Sequence, residues 1–479
     1  MLVAKDLAQS DVKDITVALP EGVALNPAAA DGLQSCSTAQ VGFEGVKELN
    51  PDGEPGVRTA QFSPQEATCP DASKIANVAI RTPLLPNPLT GFVYLASPQN
   101  FAGLPENPFE SLVAMYLVAR DPVSGVLVKL AGKVTLSATG QIEAVFENDP
   151  QLAFEDAELE FFGGERAPLA TPASCGTYTT SASFAPWSGG EAVGSTSSFS
   201  ILAGPNGSAC PSPLPFAPSL ASGTTNNNAG SFSALTTTLS RGDGQQAIQS
   251  VTLHYPPGVS GLLSSVKLCP EAQANAGTCG PESEIGETII SVGLGGDPFT
   301  VTGGKVYITE KYAGAPFGLS IVNPAKAGPF DLQQGRPVVV RAKVDVDPHT
   351  AALTITTDPS GAHAIPTIIE GFPLQIRNVN VLVNRPGFAF NPTNCTPTAV
   401  TGTVESAEGA SSPVSIPFQV TNCATLKFAP KFAVATSGRT SRAKGASLSV
   451  KLTYPQAPRG PTRTSHGSRS TSPSSSPRS

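Results

Sequence analysis

The side chains of this 479-residue chain that could do chemistry are few: four histidines, some clustered acids and eight cysteines. General acid–base work needs a His or carboxylate beside the group it serves, and nucleophilic work needs a Ser or Cys beside a base. His254 falls on an alternating stretch, Gln249-Ser250-Val251-Thr252-Leu253-His254-Tyr255, and two related stretches carry Ala18 and Thr453 in its place. It reads as a strand-face residue. His349 and His363 lie in turn sequences, Asp347-Pro348-His349 and Gly361-Ala362-His363, with no counterpart earlier in the chain. No Gly-x-Ser-x-Gly elbow occurs and no Cys has a His close by in sequence, so no catalytic residue is assigned.

Asp345, Asp347 and His349 alternate along a strand end and have the ligand types for Ca²⁺, but two carboxylates in a turn are ordinary surface chemistry. Glu155, Asp156, Glu158 and Glu160 are the sharpest acidic cluster; alternation puts Glu158 and Glu160 on one solvated face. Arg241-Gly242-Asp243 is a tripeptide that adhesion receptors read on an exposed loop. Here it lies between two strand patterns, where Gly-Asp-Gly is turn chemistry. No metal or cofactor site is assigned.

The cysteines carry the clearest pattern. No Cys-x-x-Cys occurs, so zinc readings fail on spacing, and an even count in a chain with only 14% charged residues points to disulfides in an oxidising compartment. Eight cysteines formally permit 105 connectivities, but they come as adjacent pairs at matching points along the chain. The bridges expected are Cys36–Cys69, Cys175–Cys210, Cys269–Cys279 and Cys395–Cys423.

The elements that hold these residues repeat. Cys210 through Leu214-Pro215-Phe216-Ala217-Pro218 recurs as Cys423 through Leu426-Lys427-Phe428-Ala429-Pro430, and from Leu214 to Leu426 is 212 positions. Asp14 to Val23 alternates apolar and polar and ends on a Pro/Gly turn; Gln249 to Val259 matches it, and Ser447 to Pro455 resembles both. Each full copy then shows a first cysteine beside a helix-like run, a second cysteine, and Ser73-Lys74-Ile75 or Ser283-Glu284-Ile285, which are 210 apart. The first copy carries a Gly/Pro-rich insertion, about Gly42 to Glu66, between its cysteines; loop closure entropy tolerates that.

Period-two alternation with frequent turns, and 46 Gly and 46 Pro, predict an all-β chain of tandem immunoglobulin-like antiparallel β-sandwiches, about two per repeat. The units expected are residues 1–101, 102–212, 213–312 and 313–425, with internal boundaries near Ala102 and Ala313. Residues 426–455 begin a third copy. The Arg/Ser/Pro-rich residues 456–479 are expected to be disordered, and so abrupt a change of composition reads as a truncated or frame-shifted end. A net charge of −7 gives no footprint for nucleic acid, and no apolar run of 18 residues spans a membrane. Met1-Leu2-Val3-Ala4-Lys5-Asp6 is no signal peptide; since the first copy begins partway through the unit, any export signal is expected upstream of this chain.

Gly314-Ala315-Pro316-Phe317-Gly318-Leu319-Ser320-Ile321-Val322, Val344-Asp345-Val346-Asp347-Pro348, Asn391-Pro392-Thr393-Asn394-Cys395 and Arg166 to Pro172 before Cys175 resemble segments of large secreted or surface tandem-repeat proteins of high-GC actinobacteria. The resemblance runs from about Asp14 to Pro455 and brings no activity or cofactor with it. The expected function is therefore that of a non-catalytic extracellular or cell-surface stalk, adhesive or matrix component, whose partner is a surface polymer or protein. One alternative is an array of carbohydrate- or protein-binding modules, which calls for exposed aromatics at matching positions; the single Trp187 has no partner in the second copy. The other is a secreted hydrolase, with its polar residues confined to one copy.

Overall fold

A computed structural model of the chain describes residues 9–49, 57–97, 111–204, 207–437 and 447–454. The expected tail, residues 456–479, lies outside them. The chain is nearly all β and antiparallel. In its N-terminal part β1 (Val12–Ala18), β2 (Lys74–Arg81), β3 (Leu89–Leu95), β4 (Val113–Arg120), β5 (Leu127–Leu136), β6 (Ile142–Phe146), β7 (Asp156–Phe161), β8 (Gly176–Pro186) and β9 (Val193–Ile201) form one sheet, in the order β7-β2-β3-β4-β5-β6-β1-β8-β9. A second sheet contains β10 (Ser219–Thr224), β11 (Leu235–Ser240), β12 (Ile248–Tyr255), β13 (Glu284–Val292), β14 (Phe299–Thr309), β15 (Phe317–Pro324), β16 (Pro337–Val346), β17 (Leu353–Thr357), β18 (Ile376–Val383), β19 (Thr398–Ser406) and β20 (Ser411–Phe418). Its order is β10-β11-β18-β13-β14-β15-β16-β17-β12-β19-β20.

From β18 onward, the second order repeats the first strand for strand. Register follows: Leu95 faces Met115 as Ile308 faces Leu319, and Ile15 faces Phe184 as Val251 faces Val404. The second sheet has two extra strands, β10 and β11, ahead of β18. A last hairpin, β21 (Lys431–Ser437) with β22 (Ser447–Thr453), stands outside both sheets.

The boundaries expected inside each repeat do not divide these sheets. Ala313 lies in the turn between paired strands β14 and β15, and β3 pairs with β4 across the segment around Ala102, which is itself outside the described residues. Both halves of a repeat thus enter one sheet. The physical reason is curling: a twisted sheet of nine to eleven strands folds over, and on the second sheet this buries two clusters, one around Val400 and Phe418 and one around Val306 and Leu319. In the second sheet the two edges meet, with β10 against β20 and the Ala229 amide donating to the Thr421 carbonyl at 2.9 Å.

All four expected cysteine pairs are joined, with Cα–Cα distances of 4.9, 5.8, 5.7 and 5.9 Å in chain order. Two of them close flaps over the outer faces of the sheets. Cys36–Cys69 brackets helix α1 (Thr38–Val41), whose capping box joins Ser37 and Gln40, and Cys269–Cys279 brackets α2 (Glu271–Ala276). The insertion of the first copy forms an antiparallel hairpin, Phe43–Leu49 with Val57–Phe62, and Phe62 sits edge-on to Tyr116 at 6.2 Å. Cys395 and Cys423 pack against the core cluster of Leu220, Val400 and Phe418. Replacing both by Ser frees a loop whose ends are 28 positions apart and is expected to lower stability by about 2–4 kcal/mol in urea unfolding.

The two sheets share a core. Val93, Met115, Leu117, Ile142 and Phe146 of the first are in one buried cluster with Phe330, Leu332, Ile369 and Phe372, which stand on two tight turns of the second. The ring centres of Phe330 and Phe372 are 5.4 Å apart. Polar contacts flank the joint. The Asn26 side chain accepts from Ala28 N at 3.2 Å and from Leu294 N at 3.0 Å, while Arg166 donates to Asp31 and to Asp297, each at 2.7 Å. Gly293 adopts a φ of 95°, which favours glycine, and a Cβ there would stand 2.3 Å from the Ala28 nitrogen.

Candidate functional site

Alternation sends one side chain in two toward the inside of each curled sheet. On β7 these are Ala157, Leu159 and Phe161; on β11 they are Leu235, Thr237 and Leu239; on β18 they are Val379, Val381 and Val383. Together with the residues of the joint they enclose a cavity of about 560 Å³ that is lined from both sheets. Its walls are aliphatic and aromatic, and Lys326 is the one charged residue among those that line it. A space of this size takes a small-molecule ligand, but a wall with no acid–base pair offers adhesion to apolar surface and no bond chemistry.

The polar residues singled out from the sequence stay apart. The His254 ring is exposed on β12, with Nδ1 2.9 Å from the Thr354 hydroxyl. His349 donates its backbone N–H to Asp347 Oδ1 at 2.9 Å, and His363 Nδ1 lies 3.4 Å from the Val339 carbonyl on another turn. Asp347 is engaged inside its own turn, where hydrogen bonds from Thr350 and His349 hold its pKa below the usual carboxylate value; Asp345 pairs with Lys343 at 3.0 Å. Among the described residues no three His, Cys, Asp or Glu side chains converge on a metal position. Asp156 pairs with Arg81 at 3.0 Å, and Glu158 and Glu160 are exposed on the face of β7 opposite the cavity. No helix among the described residues is long and apolar enough to cross a membrane.

Arg241 and Asp243 face inward. Arg241 is 6% exposed and donates to the carbonyls of Ile376 at 2.9 Å and Gln245 at 2.5 Å; Asp243 accepts from Gly295 N at 3.1 Å. The tripeptide ties the turn before β12 to β18 and to the joint: Arg241 is buried, and the half-buried Asp243 pairs with Arg377 at 3.4 Å.

Three buried charged groups escaped the reading of the sequence: Arg341, Asp149, and Asp121, which accepts from Val123 N, Ser124 N and the Ser124 hydroxyl inside its own turn. Arg341, on the outer face of β16, is fully buried beneath α2. It donates to the Leu319 carbonyl at 3.0 Å, to Thr309 Oγ1 at 3.1 Å and to Asn275 Oδ1, and its guanidinium lies 3.9 Å from the centre of the Tyr312 ring. The Tyr312 hydroxyl donates to Asp358; burial and that carboxylate push the phenol up to about 12. Burial lowers the pKa of Arg341 itself. The signal was present, since Val338-Val339-Val340-Arg341-Ala342 sets one charge in an apolar run, but a strand charge normally means solvent.

Asp149 is the second. Burial, and after it the neighbouring Asp14, raise its pKa from 3.8 to about 7. Lys13 pairs with Asp14 at 3.6 Å and lies over Trp187, whose indole N–H donates to the Asp149 carbonyl at 3.0 Å. Asp149 does not line the cavity. The folded state holds a proton that the unfolded chain releases, so the stability it contributes is full below about pH 4 and is lost as pH rises through about 7. Asp149→Asn is expected to flatten that slope and to gain on the order of 4 kcal/mol at pH 8, with no gain at pH 4. Urea unfolding at the two pH values checks it.

No family model matches this chain, and no curated protein does.

Proposed function

We propose that the protein is a non-catalytic extracellular or cell-surface component, a stalk, adhesive or matrix element, built by tandem repetition of one curled-sheet unit. The observation that carries this reading is the joint. Two sheets with the same nine-strand order meet through a shared apolar core, so that repetition extends the molecule as a stiff body. Stiffness and repetition serve reach and avidity without any reaction. Four disulfides suit an oxidising exterior, and the resemblance to actinobacterial surface repeat proteins fits the same picture. The test is incubation of the full chain with ester, peptide and glycoside substrates, alongside binding to whole cells and to polysaccharide. Binding without turnover is expected. Reproducible turnover abolished by His349→Ala or His363→Ala contradicts the proposal.

The cavity favours a second reading, capture of an apolar chain between the sheets. Native mass spectrometry of the purified chain decides it: a retained lipid-sized mass supports capture, and the bare polypeptide mass speaks against it.

A further inference from the structure

Two amide groups in the cavity wall lack what the other polar side chains there have. Thr237 bonds the Tyr255 hydroxyl at 2.7 Å, Thr357 Oγ1 accepts from Val251 N at 2.9 Å, and Lys326 pairs with Asp331 at 3.3 Å. Asn323 and Asn26 line the same cavity, at 5% and 8% exposure. Among the described residues neither side-chain nitrogen has a hydrogen-bond partner, although both oxygens are engaged.

Both amides stand at the joint. Asn26 Oδ1 accepts from Ala28 N and, across the two sheets, from Leu294 N, so a flip of this amide would set its nitrogen against two donors. Asn323 ends β15 two positions before Ala325 of the shared core cluster, and its Oδ1 accepts from the Thr288 hydroxyl at 2.5 Å. Gly304, which pairs with Thr288, makes room for that bond: a Cβ there would collide with both oxygens. Uncommitted N–H groups in an otherwise aliphatic space call for an acceptor. That acceptor is uncharged, because the one cation of the wall, Lys326, is already paired, and a carboxylate would be buried without a counter-charge.

We propose that the cavity takes an uncharged long-chain ester, its oxygens accepting from the Asn323 and Asn26 amides at the joint and its hydrocarbon chain lying along the inner face of the second sheet, over Leu239, Leu253, Leu319 and Val381. The chain supplies affinity through buried apolar area, and the amides set which end of the ligand is fixed and where. A space of about 560 Å³ falls in the range of small-molecule sites. The assignment rests on the capture of an apolar chain between the sheets and adds the chemistry of the head group.

The test is equilibrium binding of methyl palmitate, hexadecane and palmitate to the full chain stripped of bound lipid. Methyl palmitate is expected to bind about tenfold more tightly than hexadecane, which has no acceptor, and about tenfold or more above ionised palmitate, which brings an unpaired charge. Asn323→Leu keeps the volume and removes the donor; it is expected to cut the preference for ester over hexadecane to about threefold or less and to leave hexadecane binding unchanged. Circular dichroism shows whether the variant keeps its sheets, and should it not, the three ligands on the unaltered chain decide alone. Equal binding of ester and hexadecane overturns the proposal and leaves capture standing. Tighter binding of palmitate overturns it in favour of a charged head group, and an Asn323→Leu variant that weakens ester and hexadecane alike overturns it by assigning Asn323 to packing. Failure of all three ligands to bind contradicts capture itself.

Discussion

Phe372→Ala is expected to cost about 3–5 kcal/mol and to separate the unfolding of the two sheets. Phe372 is 7% exposed, packs on Phe330, and belongs to the cluster that also holds Met115, Ile142 and Phe146 of the other sheet. Both sheets pack on its ring: removing it leaves a void that neither can close alone, because the flanking contacts at Asn26 and Gly293 fix the separation of the backbones. Calorimetry of the unaltered chain should show the two sheets melting together. The variant should show two transitions, the lower one shifted down. An equal, single shift in the variant means that Phe372 stabilises only its own turn.

Arg341→Ala is expected to cost about as much, roughly 3–5 kcal/mol, by a different route. The guanidinium satisfies the Leu319 carbonyl, Thr309 and Asn275 in a buried setting, and it stacks on the ring of Tyr312, which is bonded to Asp358. Its loss strands those acceptors and leaves a hole under α2. Arg341→Met fills most of the hole but supplies no donors, so comparison of the two variants separates packing from hydrogen bonding. Recovery of half or more of the loss by Met assigns the effect to volume. Proteolysis within Glu271–Ala276 should rise in both variants, because the flap over Arg341 loses its anchor.

Local signals made strands and disulfides legible, and long-range ones left the assembly hidden. Alternation in Gln249 to Tyr255 or Val338 to Val346 records which side chains face inward, and cysteines 10 to 35 positions apart record closures the chain can make nearby. Nothing local states that β3 continues into β4 within one sheet, so a size argument split each repeat where the sheet runs on. The joint was equally hidden: Asn26 and Leu294 are 268 positions apart, and Phe330 and Phe372 look like turn residues until another sheet closes over them. His254 was readable as a strand-face residue because Ala18 stands in its place, and His349 and His363 were readable as isolated because neither has a counterpart. Thr453 does not occupy the place of His254 as expected: Phe432 facing Leu452 and Thr436 facing Leu448 match Leu220 facing Leu239 and Thr224 facing Leu235, which puts Ser447–Thr453 at the place of β11. Arg341 stands out as a lone charge in an apolar run, but its burial, like that of Asp149, depends on the flap or turn that folds over it.

The stiffness of the joint is the claim on which the stalk reading stands. The direct measurement is pulsed electron–electron resonance between spin labels placed by unnatural amino acids at Val123, in the turn between β4 and β5, and at Ser415 on β20, both solvent-exposed. A single narrow distance distribution, broadened by Phe372→Ala, is the expected result. A broad distribution in the unaltered chain, indifferent to Phe372→Ala, means two units on a loose tether and contradicts the account.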